Sequence, residues 1–212
     1  PHEEFDGRPL HMYIVVFRQI LALRAVGFSS QGREKMTEIH HIVEYHPYYL
    51  VRNNPNWREQ YPDTRLILDF KDAKRPAIEH FKKLIISELA VQVQLGNNWG
   101  VAVVPSSQRG EWGEGLKDIA ESLHAKYGVG YYFDALRRHQ SIAKLAGGGD
   151  RSLETHLGTI TINRSELPGS MILLDDVTST GNSLRACEHR LKEAGVENVY
   201  LMAIGETTHG TP

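Results

Sequence analysis

The stretch from Met171 to Leu184 constrains the fold of this chain more than any other; it reads Met-Ile-Leu-Leu-Asp-Asp-Val-Thr-Ser-Thr-Gly-Asn-Ser-Leu. The apolar run Met171 to Leu174 is short and unbroken, as a strand buried on both faces of a parallel sheet requires, and the amphipathic run after Ser183 fits a helix. Asp175 to Ser183 are therefore expected to form a strand-to-helix turn at the edge of the sheet where ligands bind. Asp175 and Asp176 can accept hydrogen bonds from neighbouring hydroxyls. Thr178 to Ser183 offer backbone N–H groups, the hydroxyls of Thr178, Ser179 and Thr180, the permissive Gly181, and Asn182 and Ser183 at a helix N-terminus. That combination suits a phosphate monoester.

Two rival readings of the stretch fail on spacing. A haloacid-dehalogenase nucleophile needs Asp-x-Asp, but Val177 stands two residues after Asp175; the Gly-x-x-x-x-Gly-Lys-Ser/Thr run of a P-loop is nowhere in the chain. A receiver-type acidic pair belongs near the start of its domain, whereas this pair lies near the end of the sequence.

The rest of the chain supplies the alternation that such a turn needs. Val101 to Val104 reads as a strand followed by the turn Pro105-Ser106-Ser107-Gln108-Arg109. Leu116, Ile119, Ala120, Leu123 and Tyr127 give a helix closed by Gly128. Tyr131 to Phe133 and Gly158 to Ile162 read as strands. Leu184, Cys187 and Leu191 form the inner face of a helix ending at Gly195, and Val199 to Ile204 is a last strand. Ile78, Phe81, Ile85 and Leu89 line another helix opened by Pro76. Upstream, Arg65 to Phe70 reads as a strand with a basic turn, Lys71 to Arg75, behind it. Met36, Ile39 and Val43 recur at helical spacing before Pro47. Asn53 to Asp63 reads as a loop whose Trp57 plugs the surface. Tyr13 to Val26 fits either a strand passing into a helix or one buried helix. Strands alternating with helices predict an α/β domain with a mostly parallel sheet, and they bring the loops after Val104, Phe133 and Asp176 to one edge.

Composition narrows the class. With 212 residues, 41% of them hydrophobic, the chain can bury one sizeable α/β core plus an accessory segment. A net charge of −2 gives no broad electrostatic surface for nucleic acid. The single cysteine excludes an intramolecular disulfide and a cysteine-rich zinc site. No apolar run reaches the roughly 18 residues of a membrane span, so a cytoplasmic, soluble protein is expected. Residues 1–11 precede a His-Met junction and read as an expression scar. His40 and Glu44 would lie at i, i+4 on a helix and could bind a metal, but nothing else supplies the remaining ligands, so a solvated helix face explains them better.

Taken together, the apolar strand, Asp175-Asp176, Val177 and Thr178-Ser179-Thr180-Gly181-Asn182-Ser183 resemble the binding signature for 5-phosphoribosyl 1-pyrophosphate (PRPP) in type I phosphoribosyltransferases. Phe70-Lys71 to Arg75, Val103-Val104-Pro105, and Leu136-Arg137-Arg138 with Gln140 are most similar to the ComF, amidophosphoribosyltransferase-related branch. The resemblance covers roughly residues 65–205, and departs in lacking a cysteine-rich N-terminal zinc module and in carrying Ser-Ser-Gln after Val-Pro. It implies a phosphoribosyltransferase core over 65–212 behind an accessory, hood-like segment, 12–64. It further implies that Asp175 and Asp176 hold the ribose hydroxyls, with Thr178 to Ser183 on the 5′-phosphate and Ser106, Ser107, Gln108 and Arg109 on the pyrophosphate. A flexible loop, Arg137 to about Thr155, would bring Lys144 to the leaving group with Arg138 and Arg151 behind it. Mg²⁺ would be bound mainly through PRPP near Asp175 and Asp176. Expected partners are PRPP, a small-molecule acceptor and, for oligomeric state, a second copy of the chain; neither nucleic acid nor membrane is expected. Ser179 stands where the 6-oxopurine salvage branch has a carboxylate, which disfavours hypoxanthine or guanine as acceptor. The alternative from another class is a PRPP- or nucleotide-binding regulator without transfer, or a ComF-like accessory of DNA metabolism.

Overall fold

The computed structural model describes residues 36–93, 95–143 and 150–208. The segments 1–11 and Tyr13 to Val26, and the candidate Lys144, lie outside the described residues. The described residues from Thr37 onward form one compact unit. Its elements in order are β1 (Ile39–Tyr45), α1 (Tyr48–Val51), α2 (Trp57–Gln60), α3 (Pro62–Lys71), α4 (Arg75–Gln92), β2 (Trp99–Val103), α5 (Glu114–Tyr127), β3 (Gly130–Tyr131), β4 (Leu136–Arg138), α6 (Leu153–Thr159), β5 (Ile160–Ile162), β6 (Ser170–Thr178), α7 (Asn182–Glu193) and β7 (Asn198–Thr207).

Five of these strands make a wholly parallel sheet in the order β1-β7-β6-β2-β3. Period-two alternation then divides the core into two layers. Val101, Val103, Ile172, Leu174, Met202 and Ile204 face α3, α4 and α5, while Ala102, Met171, Leu173, Leu201 and Ala203 face α7 and the small antiparallel β4-β5 pair. The helix faces agree with their sequence spacing. Ile78, Phe81, Ile85 and Leu89 are buried on α4, and Leu184, Cys187 and Leu191 on α7. Gly128 closes α5 with a left-handed φ of 69°.

Several local expectations are overturned, upstream of β2 and between β4 and β5. Residues 39–45 are a strand, not a helix: β-branched Ile39, Ile42 and Val43 satisfy either period, and pairing with β7 from Ile39↔Leu201 to Tyr45↔Thr207 decides it. Residues 65–70 are helical. Their apparent alternation hides the true buried set, Thr64, Ile67 and Phe70, spaced by three behind Pro62 in the first turn. The boundary expected between 64 and 65 therefore falls inside α3, and residues 39–45 supply an edge strand to the main sheet. Asn53 to Asp63 contains α2 and the start of α3, with Trp57 buried at 7% exposure against Tyr48. Further on, the segment expected to be an unpatterned flexible loop from Arg137 to about Thr155 holds the end of β4 and the first three residues of α6. Gly158 and Thr159 close α6 and do not open β5.

α3 lies across the C-terminal ends of the strands. The Thr64 hydroxyl bridges the His46 N–H and carbonyl just beyond β1, at 3.0 and 3.2 Å. Ile67 packs on Gly205 of β7, where an added Cβ would sit 2.5 Å from its Cδ1, and the Phe70 ring covers Gly115 at the start of α5. The helix thus ends at β6.

Candidate functional site

The site is built where β6 runs out. Side chains alternate along the strand, so the adjacent acids point to opposite faces of the sheet. Asp175 follows Leu173 toward α7. Its Oδ2 accepts from the Ser183 hydroxyl at 3.0 Å and its Oδ1 from the Asp176 N–H at 2.8 Å. Burial and then the neighbouring Asp176 push its carboxyl well above the usual carboxylate range, against the pull of Ser183 and Lys71. Asp176 follows Leu174 toward α3 and lies 3.0 Å from the Lys71 ammonium, both groups half-buried. Asp175 thus anchors the turn to α7, and Asp176 stands at the rim.

Beyond Asp176 the chain turns through Ser179 and Thr180 into α7. Gly181 holds φ at 77°, a left-handed value, and a Cβ there would meet Ile39 Cδ1 at 2.7 Å, so both conformation and space call for glycine. Among the described residues, no protein group accepts from the N–H groups of Ser179, Thr180 or Gly181. The buried Thr178 hydroxyl also has no partner there. Four donors are therefore left open at a helix N-terminus, the arrangement that binds an oxyanion.

β2 is the parallel neighbour of β6, so its following loop emerges beside this turn. That loop is more self-contained than expected. The N–H of Ser106 donates to Glu111 O, that of Gln108 to the Ser106 hydroxyl, that of Arg109 to the Ser141 hydroxyl and that of Gly110 to Arg138 O. Backbone capture of a pyrophosphate is thereby reduced to the Ser107 N–H, leaving the exposed side chains of Gln108 and Arg109 to meet it.

Arg138 does not belong to a flexible loop. At 1% exposure it is a buried guanidinium, donating to Ser106 O at 2.6 Å, to the Thr159 hydroxyl at 2.6 Å and to His156 Nδ1 at 3.2 Å. Strand alternation in β4 exchanges its expected role with Arg137, which is exposed and has its guanidinium beside Gly110. Arg151 is brought to the site from the other side, its carbonyl accepting from the Asn182 side chain at 3.0 Å. Arg109 and Arg137 thus border the loop after β2, and Arg151 meets the turn after β6 through its backbone.

Sequence reasoning missed Lys71, Arg137 and His156. Helical spacing from Thr64 through Ile67 to Lys71 would have placed the first on the inner face of α3, and period two over Leu136 to Arg138 would have separated the arginines. His40 lies on β1 and stacks on Tyr200 with ring centroids 4.5 Å apart; among the described residues, no group of three or more His, Cys, Asp or Glu side chains could hold a metal ion. Nor, among those residues, is any helix long and apolar enough to cross a membrane. Comparison of the chain with models of protein families finds no match, and comparison with curated proteins finds none either.

Proposed function

We propose that the chain has the type I phosphoribosyltransferase fold and binds PRPP with Mg²⁺, transferring its 5-phosphoribosyl group to a nitrogen acceptor. One observation carries the reading: the open donors of Thr178 to Gly181 follow Asp175-Asp176 at the end of a central parallel strand. A monoester phosphate satisfies those donors and the N-terminal end of α7, while a carboxylate at the rim suits the sugar hydroxyls next to that phosphate. The second loop lies one strand away, within reach of a pyrophosphate on the same sugar.

In this reading Thr178 to Ser183 anchor the 5′-phosphate, Asp176 orients the ribose, and Ser107, Gln108, Arg109 and Arg137 meet the pyrophosphate. The acceptor nitrogen's lone pair forms the bond to ribose C1 as the C1–O bond breaks, and the electron pair departs on pyrophosphate. Cations placed where that charge develops lower the barrier, each contact contributing about 3 kcal/mol. Asp175 and Asp176 are hard oxygen donors, but one is buried in hydrogen bonds and the other is paired with Lys71, so they suit an Mg²⁺ ion carried largely by the phosphates. When bound, that ion supplies neutralising charge on the pyrophosphate. Lys144 remains the proposed cation of the 137–155 segment. A cytoplasmic setting is part of the same proposal.

The commitment of most loop N–H groups after β2 favours a second reading, a PRPP-binding regulator that keeps the sugar phosphate and lacks transfer. Calorimetric titration of PRPP with Mg²⁺ tests the first requirement of both. Binding by wild type that is lost in an Asp175→Asn, Asp176→Asn double variant is the expected result, and no binding by wild type would refute the reading. Pyrophosphate release in the presence of nitrogen nucleophiles then separates enzyme from regulator.

A further inference from the structure

We infer that Lys71, at the end of α3, is the positioning residue of the sugar subsite, holding the Asp176 carboxylate by one oxygen so that the other is presented to a vicinal diol. The inference rests on the sugar-phosphate reading of the site. It goes further by assigning a role to a residue upstream of the signature.

Three observations carry it. The first is the geometry of the pair. Lys71 Nζ is 3.0 Å from Asp176 Oδ2, and among the described residues nothing donates to Oδ1. A carboxylate with one oxygen fixed and one open is a directional acceptor for a hydroxyl. The second is that Lys71 is the cation of its turn committed to the site. Of the neighbouring basic residues, Lys74 is taken by Asp69 and Arg75 by Asp118, both at 2.6 Å. The third is the support beneath it. α3 is pinned at Thr64 to the end of β1, at Ile67 to β7 and at Phe70 to α5, so the lysine stem starts from a fixed point. Burial opposes charge on Lys71. Asp176 by charge and hydrogen bond, then Asp175 and Tyr45, outweigh it and hold the ammonium above its ordinary range.

A free Asp176 side chain would sample several rotamers and would carry its charge next to Asp175 without a counter-charge. Fixing it before the ligand arrives removes that ordering cost from binding. The effect belongs to the sugar alone, because Lys71 and Asp176 lie on the α3 face while the open N–H groups belong to the turn after β6.

The test is calorimetric titration of ribose 5-phosphate and, separately, inorganic pyrophosphate, each with Mg²⁺, into wild type, Lys71→Met and Lys71→Arg. Lys71→Met should weaken ribose 5-phosphate by roughly threefold to tenfold, the range of a half-exposed ion pair acting through one acceptor, and leave pyrophosphate unchanged. Lys71→Arg, which keeps the charge, should stay within about threefold of wild type on the same scale. Equal affinity of Lys71→Met and wild type for ribose 5-phosphate would overturn the inference while leaving the sugar-phosphate reading intact. So would equal losses for both ligands, which mark a merely structural role, or a Lys71→Arg variant as weak as Lys71→Met. A wild type that binds pyrophosphate but not ribose 5-phosphate would overturn the site reading and the inference together.

Discussion

Arg138 shows how far the environment of one side chain can move it from the role its charge suggests. Its guanidinium is spent on Ser106 O, Thr159 and His156, tying the loop after β2 to α6. Arg138→Met should destabilise the protein by about 3 kcal/mol in urea unfolding, because a buried carbonyl, hydroxyl and imidazole lose their donor. His156 must accept from Arg138 at Nδ1, so its proton is on Nε2 and the ring is neutral. Burial, followed by Arg138 and Arg151, lowers its pKa to about 4. The unfolded chain, with a value of about 6.5, binds more protons between these limits. The contribution of neutral His156 is therefore full above pH 6.5 and is lost as pH falls toward 4, by up to roughly 3 kcal/mol. A His156→Gln variant should show a flatter loss of stability over that window. Asp175 has the opposite sign: its raised carboxyl favours the fold at low pH, and that contribution fades as pH rises. Asp175→Asn should therefore gain stability over wild type on the alkaline side, which thermal unfolding at matched pH values would detect.

Among the elements, α3 and the β6-to-α7 turn decide the shape of the site. α3 was hidden because Leu66, Leu68 and Phe70 mimic a strand, while its burial follows Thr64, Ile67 and Phe70. β1 was hidden by the converse ambiguity, since a seven-residue apolar pattern fits both periods and only β7 distinguishes them. The turn, by contrast, was legible because Gly181 and the hydroxyl residues need no distant partner to make an anion-binding bend. Gly181→Ala tests that local logic. A left-handed φ costs an L-residue about 1–2 kcal/mol, and the added methyl would also have to displace Ile39. The variant should unfold at lower urea and lose inorganic phosphate binding, measured in parallel by calorimetry.

At the scale of the whole molecule, a ligand that bridges two loops on neighbouring strands binds only the native state. At a hundredfold excess over its dissociation constant, PRPP with Mg²⁺ should add about 2.7 kcal/mol, a rise in melting temperature of roughly 5–10 °C for a chain of this size. The Asp176→Asn variant should show a smaller rise at the same ligand concentration. The α/β class, the two-sided burial of β6 and the open donors of Thr178 to Gly181 were already determined by the sequence, because each depends on neighbours within one strand or one turn. The strand order, the crossing of α3 to bring Lys71 to Asp176 and the burial of Arg138 were decided by tertiary structure alone. Each of these joins residues distant in the chain, and pairing energies between distant segments have no local signature.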